Sequence, residues 1–93
     1  MRESAIEQKL KKVVEAAGGK CLKFVSPGMS GVPDRICLFS GGHVVFVEIK
    51  SSGENARPLQ SKRHKELRNL GFDVRVIDSE DQIRAFVREV MPI

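Results

Sequence analysis

The chain has 93 residues, of which 16 are Lys or Arg and 12 are Asp or Glu, so its formal net charge is +4. This length predicts a single domain over residues 1–93, and the basic excess favours a polyanionic partner. No apolar run reaches the roughly 20 residues of a membrane span, and the acidic N-terminal segment does not resemble a signal peptide. We therefore expect an intracellular, cytoplasmic protein with no membrane partner.

The two cysteines, Cys21 and Cys37, lie inside apolar runs. They form neither a CxxC motif nor a Cys/His pattern, so they are not expected to bind metal. We interpret them as reduced core residues, which suits a reducing compartment.

The first predicted element is an amphipathic helix over about residues 4–17. Its apolar side chains recur at helical spacing until Gly18 and Gly19 interrupt the pattern. Ser4 and Glu7 have the spacing of a capping box, which gives Glu7 a structural role at the start of the helix.

A short apolar run at residues 21–25 predicts the first strand, and a loop rich in Gly and Ser follows at residues 26–31. The loop leads directly to Pro33 and Asp34. It is either an ordinary surface loop or the border of a binding site, in which case Ser30 is its candidate contact to nucleic acid.

Two apolar runs at residues 34–39 and 44–49, joined by Gly41 and Gly42, predict a β-hairpin. A two-residue turn would place Asp34 and Glu48 on opposite faces of the sheet. A three-residue turn over residues 40–42, or a bulge, places Asp34 opposite Glu48 with Lys50 on the same face. We predict the second arrangement, because charges at the end of an apolar hairpin must pair, neutralise or bind an ion.

The other face of this hairpin is wholly apolar and must be covered by helices. It carries Cys37, Phe39, Val45, Val47 and Ile49.

A second helix is predicted to begin at Pro58 and to end before Gly71. It is crowded with basic side chains, namely Arg57, Lys62, Arg63, His64, Lys65 and Arg68. A solvated face is the alternative, but we predict contact with nucleic-acid phosphates, and for His64 no more than such a contact.

Residues 72–77 alternate as a fourth strand, and Ser79 with Gln82 forms a capping box before a third helix. The element order αβββαβα predicts an α/β fold. We expect a mixed four-stranded sheet with helices on both faces, because the connection through the second helix returns to the same sheet.

Facing carboxylates repel unless one is protonated or a cation lies between them. Oxygen ligands without a His or Cys cluster favour Mg²⁺ or Mn²⁺ over zinc, so Asp34, Glu48 and the carbonyl of Ile49 are candidate metal ligands. Lys50 would then orient or deprotonate the attacking water. A structural ion pair between Lys50 and a carboxylate explains the spacing almost as well.

The fuller pattern distinguishes these alternatives. Pro33-Asp34 and, after thirteen intervening residues, Glu48-Ile49-Lys50 resemble the PD-(D/E)XK nuclease superfamily, whose fold is restriction-endonuclease-like. The chain further resembles a VRR-NUC domain of the stand-alone viral or bacterial type. This closer resemblance rests on Glu7, GVPD at 31–34, EIKS at 48–51 with Gly53, Gln60 and LRNLG at 67–71.

The resemblance implies a metal-dependent endodeoxyribonuclease with Mg²⁺ or Mn²⁺. It implies Asp34 and Glu48 as metal ligands, Lys50 as the catalytic lysine and Glu7 as a further acidic ligand, in competition with its capping role. Gln60 would bind water or Lys50 near the site, or would be only a polar residue at the start of a helix.

Stand-alone members of this type resemble Holliday-junction resolvases, enzymes of DNA repair. The resemblance implies a branched or four-way DNA partner and a C2 homodimer, since symmetric cleavage of two strands needs two active sites. The apolar face of the third helix and residues 25–32 are the candidate interfaces. The alternatives are a catalytically silent nucleic-acid-binding module and a small structural protein with an ion-paired acidic edge.

Overall fold

The elements follow the predicted αβββαβα order. The computed structural model describes residues 1–91. The helices are α1 (Glu3–Ala16), α2 (Pro58–Asn69) and α3 (Glu80–Val90), and the strands are β1 (Lys20–Lys23), β2 (Arg35–Phe39), β3 (His43–Ile49) and β4 (Asp73–Ile77). Most boundaries differ from prediction by one or two residues, as is usual for helix and strand ends.

The four strands form one mixed sheet in the order β1-β2-β3-β4. The first three strands are antiparallel neighbours, and β4 runs parallel to β3. This is the predicted α/β architecture, and it places β3 in the interior of the sheet, where both of its neighbours restrict its position.

The register of the β2–β3 hairpin is the one predicted from its charges. Phe39 pairs with His43 and Arg35 pairs with Val47, so the next step along the two chains sets Asp34 opposite Glu48. The turn therefore has three residues, 40–42. Its two glycines have φ of +84° and +77°, a conformation that residues with a Cβ rarely adopt.

Helices α1 and α3 cover one face of the sheet, as the apolar pattern required. The buried core on this face consists of Ile6, Leu10, Val14, Cys21, Cys37, Phe39, Val45, Val47, Ile49, Ile77, Ile83 and Phe86. The apolar face of α3 was one candidate for the dimer interface. Because it packs against the sheet within the domain, it is not available for that role.

Helix α2 covers part of the opposite face. Phe46 lies at the centre of an aromatic group there, with its ring 5.5 Å from the rings of both Phe24 and Phe72. The cover is incomplete, since Leu22, Leu70 and Phe72 remain exposed. Within residues 1–91, the helices are all too short or too polar to cross a membrane.

The capping box predicted at α3 is present only in part, because the Gln82 side chain accepts the N–H of Asp78 and not that of Ser79. The hydroxyl of Ser79 accepts a hydrogen bond from the Gln82 N–H at 3.2 Å. At α1 the predicted capping box of Ser4 and Glu7 is wrong, because the N-cap is Arg2 and makes no side-chain cap bond. The Glu7 carboxylate instead binds Arg35, a strong partner that sequence spacing alone does not reveal.

Cys21 and Cys37 are buried, free cysteines, as predicted. They pair directly across β1 and β2 with their sulfur atoms 3.9 Å apart.

Candidate active site

Glu48 is the centre of the candidate site. It lies near the end of β3 and is 1% exposed. Its Oε2 atom accepts a hydrogen bond from Gln60 Nε2 at 2.9 Å and lies 3.3 Å from Lys50 Nζ. The sequence predicted Gln60 near water or Lys50, whereas the structure joins it to Glu48 itself.

Gln60 also joins the site to the start of α2. Its Oε1 atom accepts the backbone N–H of Arg57 at 2.9 Å, while Pro58 begins the helix as predicted. One amide side chain thus caps the helix and orients a buried carboxylate, so the position of Glu48 depends on both β3 and α2.

Asp34 is fixed by the backbone of the facing strand. Its Oδ2 atom accepts the N–H of Ile49 at 2.9 Å. Because the N–H and C=O of one strand residue point to the same edge, the Ile49 carbonyl is directed towards the side of β3 on which Asp34 lies. The structure therefore brings together Asp34, Glu48, Ile49, Lys50 and Gln60.

The electrostatics of this group explain why a cation would bind. Burial and the neighbouring Asp34 carboxylate raise the pKa of Glu48 to about 7, and Lys50 only partly opposes them. A buried carboxylate at neutral pH therefore readily takes up a proton unless another positive charge is present.

The donor set fits a hard divalent cation. It comprises two carboxylates and a backbone carbonyl, and Glu48 Oε1 is buried without a hydrogen-bond partner. Mg²⁺ is commonly bound by one or two carboxylates with water and substrate oxygens completing its coordination. Within residues 1–91 no group of three or more His, Cys, Asp or Glu side chains is placed to hold an ion, so a closed zinc-type site does not fit.

Glu7 lies outside this group. Its carboxylate binds Arg35 Nε at 2.8 Å, and Arg35 shares the face of β2 that α1 covers. Asp34 and Glu48 lie on the other face, so a role for Glu7 at a metal would require release from Arg35.

His64 is not on the surface, where its predicted phosphate contact would require it to be. It is 2% exposed, and its Nε2 atom lies 3.7 Å from Glu48 Oε1. A direct contact with DNA phosphate is therefore incompatible with its burial. The signal in the sequence was its position one helical turn after Gln60, which puts both side chains on one face of α2.

The remaining basic residues of α2 divide into two groups. Arg57, Lys62 and Lys65 are exposed. Arg63 instead donates to the Ser30 carbonyl at 2.9 Å and pairs with Glu66, so it holds the loop at residues 26–31 against α2. Arg68, also expected at the phosphate surface, donates to the Val74 carbonyl at 2.7 Å.

Comparisons with known proteins identify the family of the chain. No protein-family model matches the chain. The chain is 46% identical over 81 residues to "Putative nuclease p44" of Acyrthosiphon pisum secondary endosymbiont phage 1, with 87% of each sequence covered. A solved structure described as "VRR_NUC domain" matches with a TM-score of 0.88 and 30% identity, over 92% of this chain and 94% of the other.

The mixed sheet, its flanking helices and the buried acidic group at the end of the hairpin define a nuclease-type α/β domain. The extent and identity of the two matches make the assignment specific: the chain belongs to the VRR-NUC family.

Proposed function

We propose that this VRR-NUC nuclease is a divalent-metal-dependent endodeoxyribonuclease that hydrolyses phosphodiester bonds by attack of water. The observation that carries the proposal is the buried Glu48 carboxylate, which lies opposite Asp34 and 3.3 Å from Lys50. A structural ion pair would need only Lys50 and one carboxylate, and it does not explain why the half-buried Asp34 lies opposite Glu48, where like charges repel.

Asp34, Glu48 and the Ile49 carbonyl would hold Mg²⁺ or Mn²⁺, which when bound supplies Lewis-acid polarisation of the phosphate and a lower pKa for water. Lys50 points to the same side of β3 as Glu48, because they are two residues apart. Its ammonium hydrogen-bonds the attacking water and offsets the negative charge that develops on the phosphate. Gln60 keeps Glu48 oriented, and Glu7 would reach the metal, directly or through water, only after release from Arg35.

The exposed side chains Arg57, Lys62 and Lys65 contact DNA phosphates along α2. Ser30, in the exposed loop that Arg63 holds against this helix, lies at the edge of the same surface. Phosphate contacts position DNA without reading its bases, so we propose selection of DNA shape, with branched or four-way junctions as the preferred substrates.

A homodimer would supply the two active sites that symmetric cleavage requires. Residues 25–32 are the remaining candidate interface, and their exposed apolar side chains Val25 and Met29 support this role. Sedimentation analysis of the wild type and Val25→Asp tests it, since the variant should sediment as a monomer. A wild type that is monomeric at micromolar concentration would exclude a stable dimer.

A cleavage panel tests the function. Linear duplex, flap, splayed and four-way DNA are each incubated with Mg²⁺, Mn²⁺ or EDTA. We expect metal-dependent cuts, fastest on the four-way junction, and no cuts by Asp34→Asn. Salt-sensitive binding without cleavage under any metal would indicate the silent binding module, and activity in EDTA would contradict the metal mechanism.

A further inference from the structure

His64 has an unusual place in α2. It is the one buried residue of a helix whose other described side chains are exposed or half-buried. Helices in small domains normally bury apolar residues against the sheet, and a fully buried histidine needs a hydrogen-bond partner. The side chain that it faces is Glu48.

The two facing atoms are both without partners. Within residues 1–91, His64 Nε2 and Glu48 Oε1 are the buried side-chain nitrogen and oxygen atoms that make no hydrogen bond. They lie 3.7 Å apart. A shift of roughly half an ångström would bring them within the N–H···O range of up to about 3.2 Å. Because leaving either atom unbonded in the interior is costly, each is the natural partner of the other.

We propose that His64 is a positioning residue for Glu48: its neutral imidazole carries the proton on Nε2 and donates it in a hydrogen bond to Glu48 Oε1. Helix α2 then holds both oxygens of one carboxylate, since Gln60 already donates to Oε2 at 2.9 Å. The two donors are four residues apart and project from the same helical face.

The tautomer of His64 follows from the atom that its Nε2 faces. A neutral imidazole has one donor and one acceptor nitrogen, so the partner of Nε2 determines the tautomer. The ionised carboxylate of Glu48 can only accept a hydrogen bond, so in that form it selects the Nε2–H tautomer.

The consequence for the proposed metal site rests on the proposed function. Two donors on one helix, one at each oxygen, restrict rotation of the Glu48 carboxylate. Residues that orient a metal ligand in this way typically change metal affinity or activity by about 10–100-fold when they are replaced.

The hydrogen bond itself is tested on the intact, metal-free chain by NMR at pH 8, where the Glu48 carboxylate is ionised. Long-range ¹H–¹⁵N spectra show which ring nitrogen of His64 carries the proton. We expect a slowly exchanging Nε2 proton whose resonance moves when Glu48→Gln replaces the charged acceptor with a neutral one. A proton on Nδ1, or a resonance that Glu48→Gln leaves unchanged, would overturn the proposal. Neither metal nor DNA is present, so the result is independent of the nuclease assignment.

Two matched variants separate positioning from packing. His64→Gln keeps a donor near the position of Nε2, whereas His64→Phe fills the space without one. We expect calorimetry to give Mn²⁺ affinity about 10–100-fold weaker for His64→Phe and within a few-fold of the wild type for His64→Gln. Equal losses in both variants would assign His64 a packing role only, and no loss in His64→Phe would likewise contradict positioning.

Circular dichroism of each variant establishes that it is folded before affinity is compared. If His64→Phe does not fold, the tautomer and its response to Glu48→Gln still decide the proposal. If the wild type binds no Mn²⁺, the metal mechanism fails, and the NMR result alone confirms or overturns the bond between His64 and Glu48.

Discussion

In the absence of metal, the stability of Glu48→Gln relative to the wild type should increase as the pH rises, because the wild type loses stability and the variant does not. The folded state raises the pKa of Glu48 from its ordinary 4.5 to about 7. Between these values the folded chain keeps a proton that the unfolded chain has lost, so wild-type stability falls with increasing pH. Glutamine has nearly the same shape and no titration, so it lacks this dependence.

The size of the effect follows from the shift. Each unit of pKa change is equivalent to about 1.36 kcal/mol. Above pH 7, where Glu48 is ionised in both the folded and the unfolded chain, the wild type has therefore lost about 3 kcal/mol of stability. Part of this loss has already occurred at pH 5, which lies above the ordinary pKa of 4.5. We therefore compare the free energies of unfolding of Glu48→Gln and the wild type, and we expect their difference to grow by about 2–3 kcal/mol between pH 5 and pH 8. The difference is used because other titrating groups cancel in it.

Urea unfolding in EDTA at each pH gives the two free energies, provided that both proteins unfold in two states with equal m-values. Glu3→Gln is the control, because Glu3 is exposed in the first turn of α1. Parallel pH profiles for Glu48→Gln and the wild type would refute the reasoning, since they would show that the carboxyl is not desolvated in the fold.

Four further outcomes are expected. Lys50→Ala should bind DNA like the wild type while its cleavage rate, measured in single turnover, falls by about 10²–10⁴-fold; unchanged cleavage would reject its catalytic role. Mn²⁺ at one hundred times its dissociation constant should stabilise the wild type by about 2.7 kcal/mol in thermal unfolding but leave Asp34→Asn unaffected, and equal stabilisation of both would place the ion elsewhere. Phe86→Ala, in the fully packed core, should lower the free energy of unfolding by about 3–5 kcal/mol in urea, whereas a loss below 1 kcal/mol would contradict that packing. Gly31→Ala should destabilise the protein by more than about 1 kcal/mol in the same assay, because φ is +84° and the new Cβ would lie 2.8 Å from Leu59 Cγ; a neutral result would show that the loop adapts.

The sequence was most informative where chemistry restricted the possible geometry. Only one register of the hairpin brings Asp34 and Glu48 together, and the structure has that register. The apolar face of the hairpin likewise required cover, which α1 and α3 provide. In both cases other arrangements are excluded by a free-energy cost: that of leaving charges unpaired in an apolar setting, or that of exposing an apolar face to water.

The sequence was least informative where the partner of a side chain is distant in the chain. Glu7 has the spacing of a cap, but Arg35, 28 residues later, is its partner in the fold. His64 lies in a helix with few apolar residues, so periodicity did not show which face is inward. Such contacts depend on how helices are placed against the sheet, and local pattern does not contain that information.

The alternation of side chains along β3 has a consequence for how this chain tolerates insertions and deletions. Residues of odd number, such as Val45 and Val47, belong to the core, while Glu48 and Lys50 lie in the candidate active site on the other face. Adding or removing one residue at the turn over 40–42 would change the parity of one strand against the other, and Asp34 would then share a face with Ile49 instead of Glu48. The length of that turn is therefore a requirement of the candidate site, although the turn lies at the opposite end of the hairpin from Asp34 and Glu48.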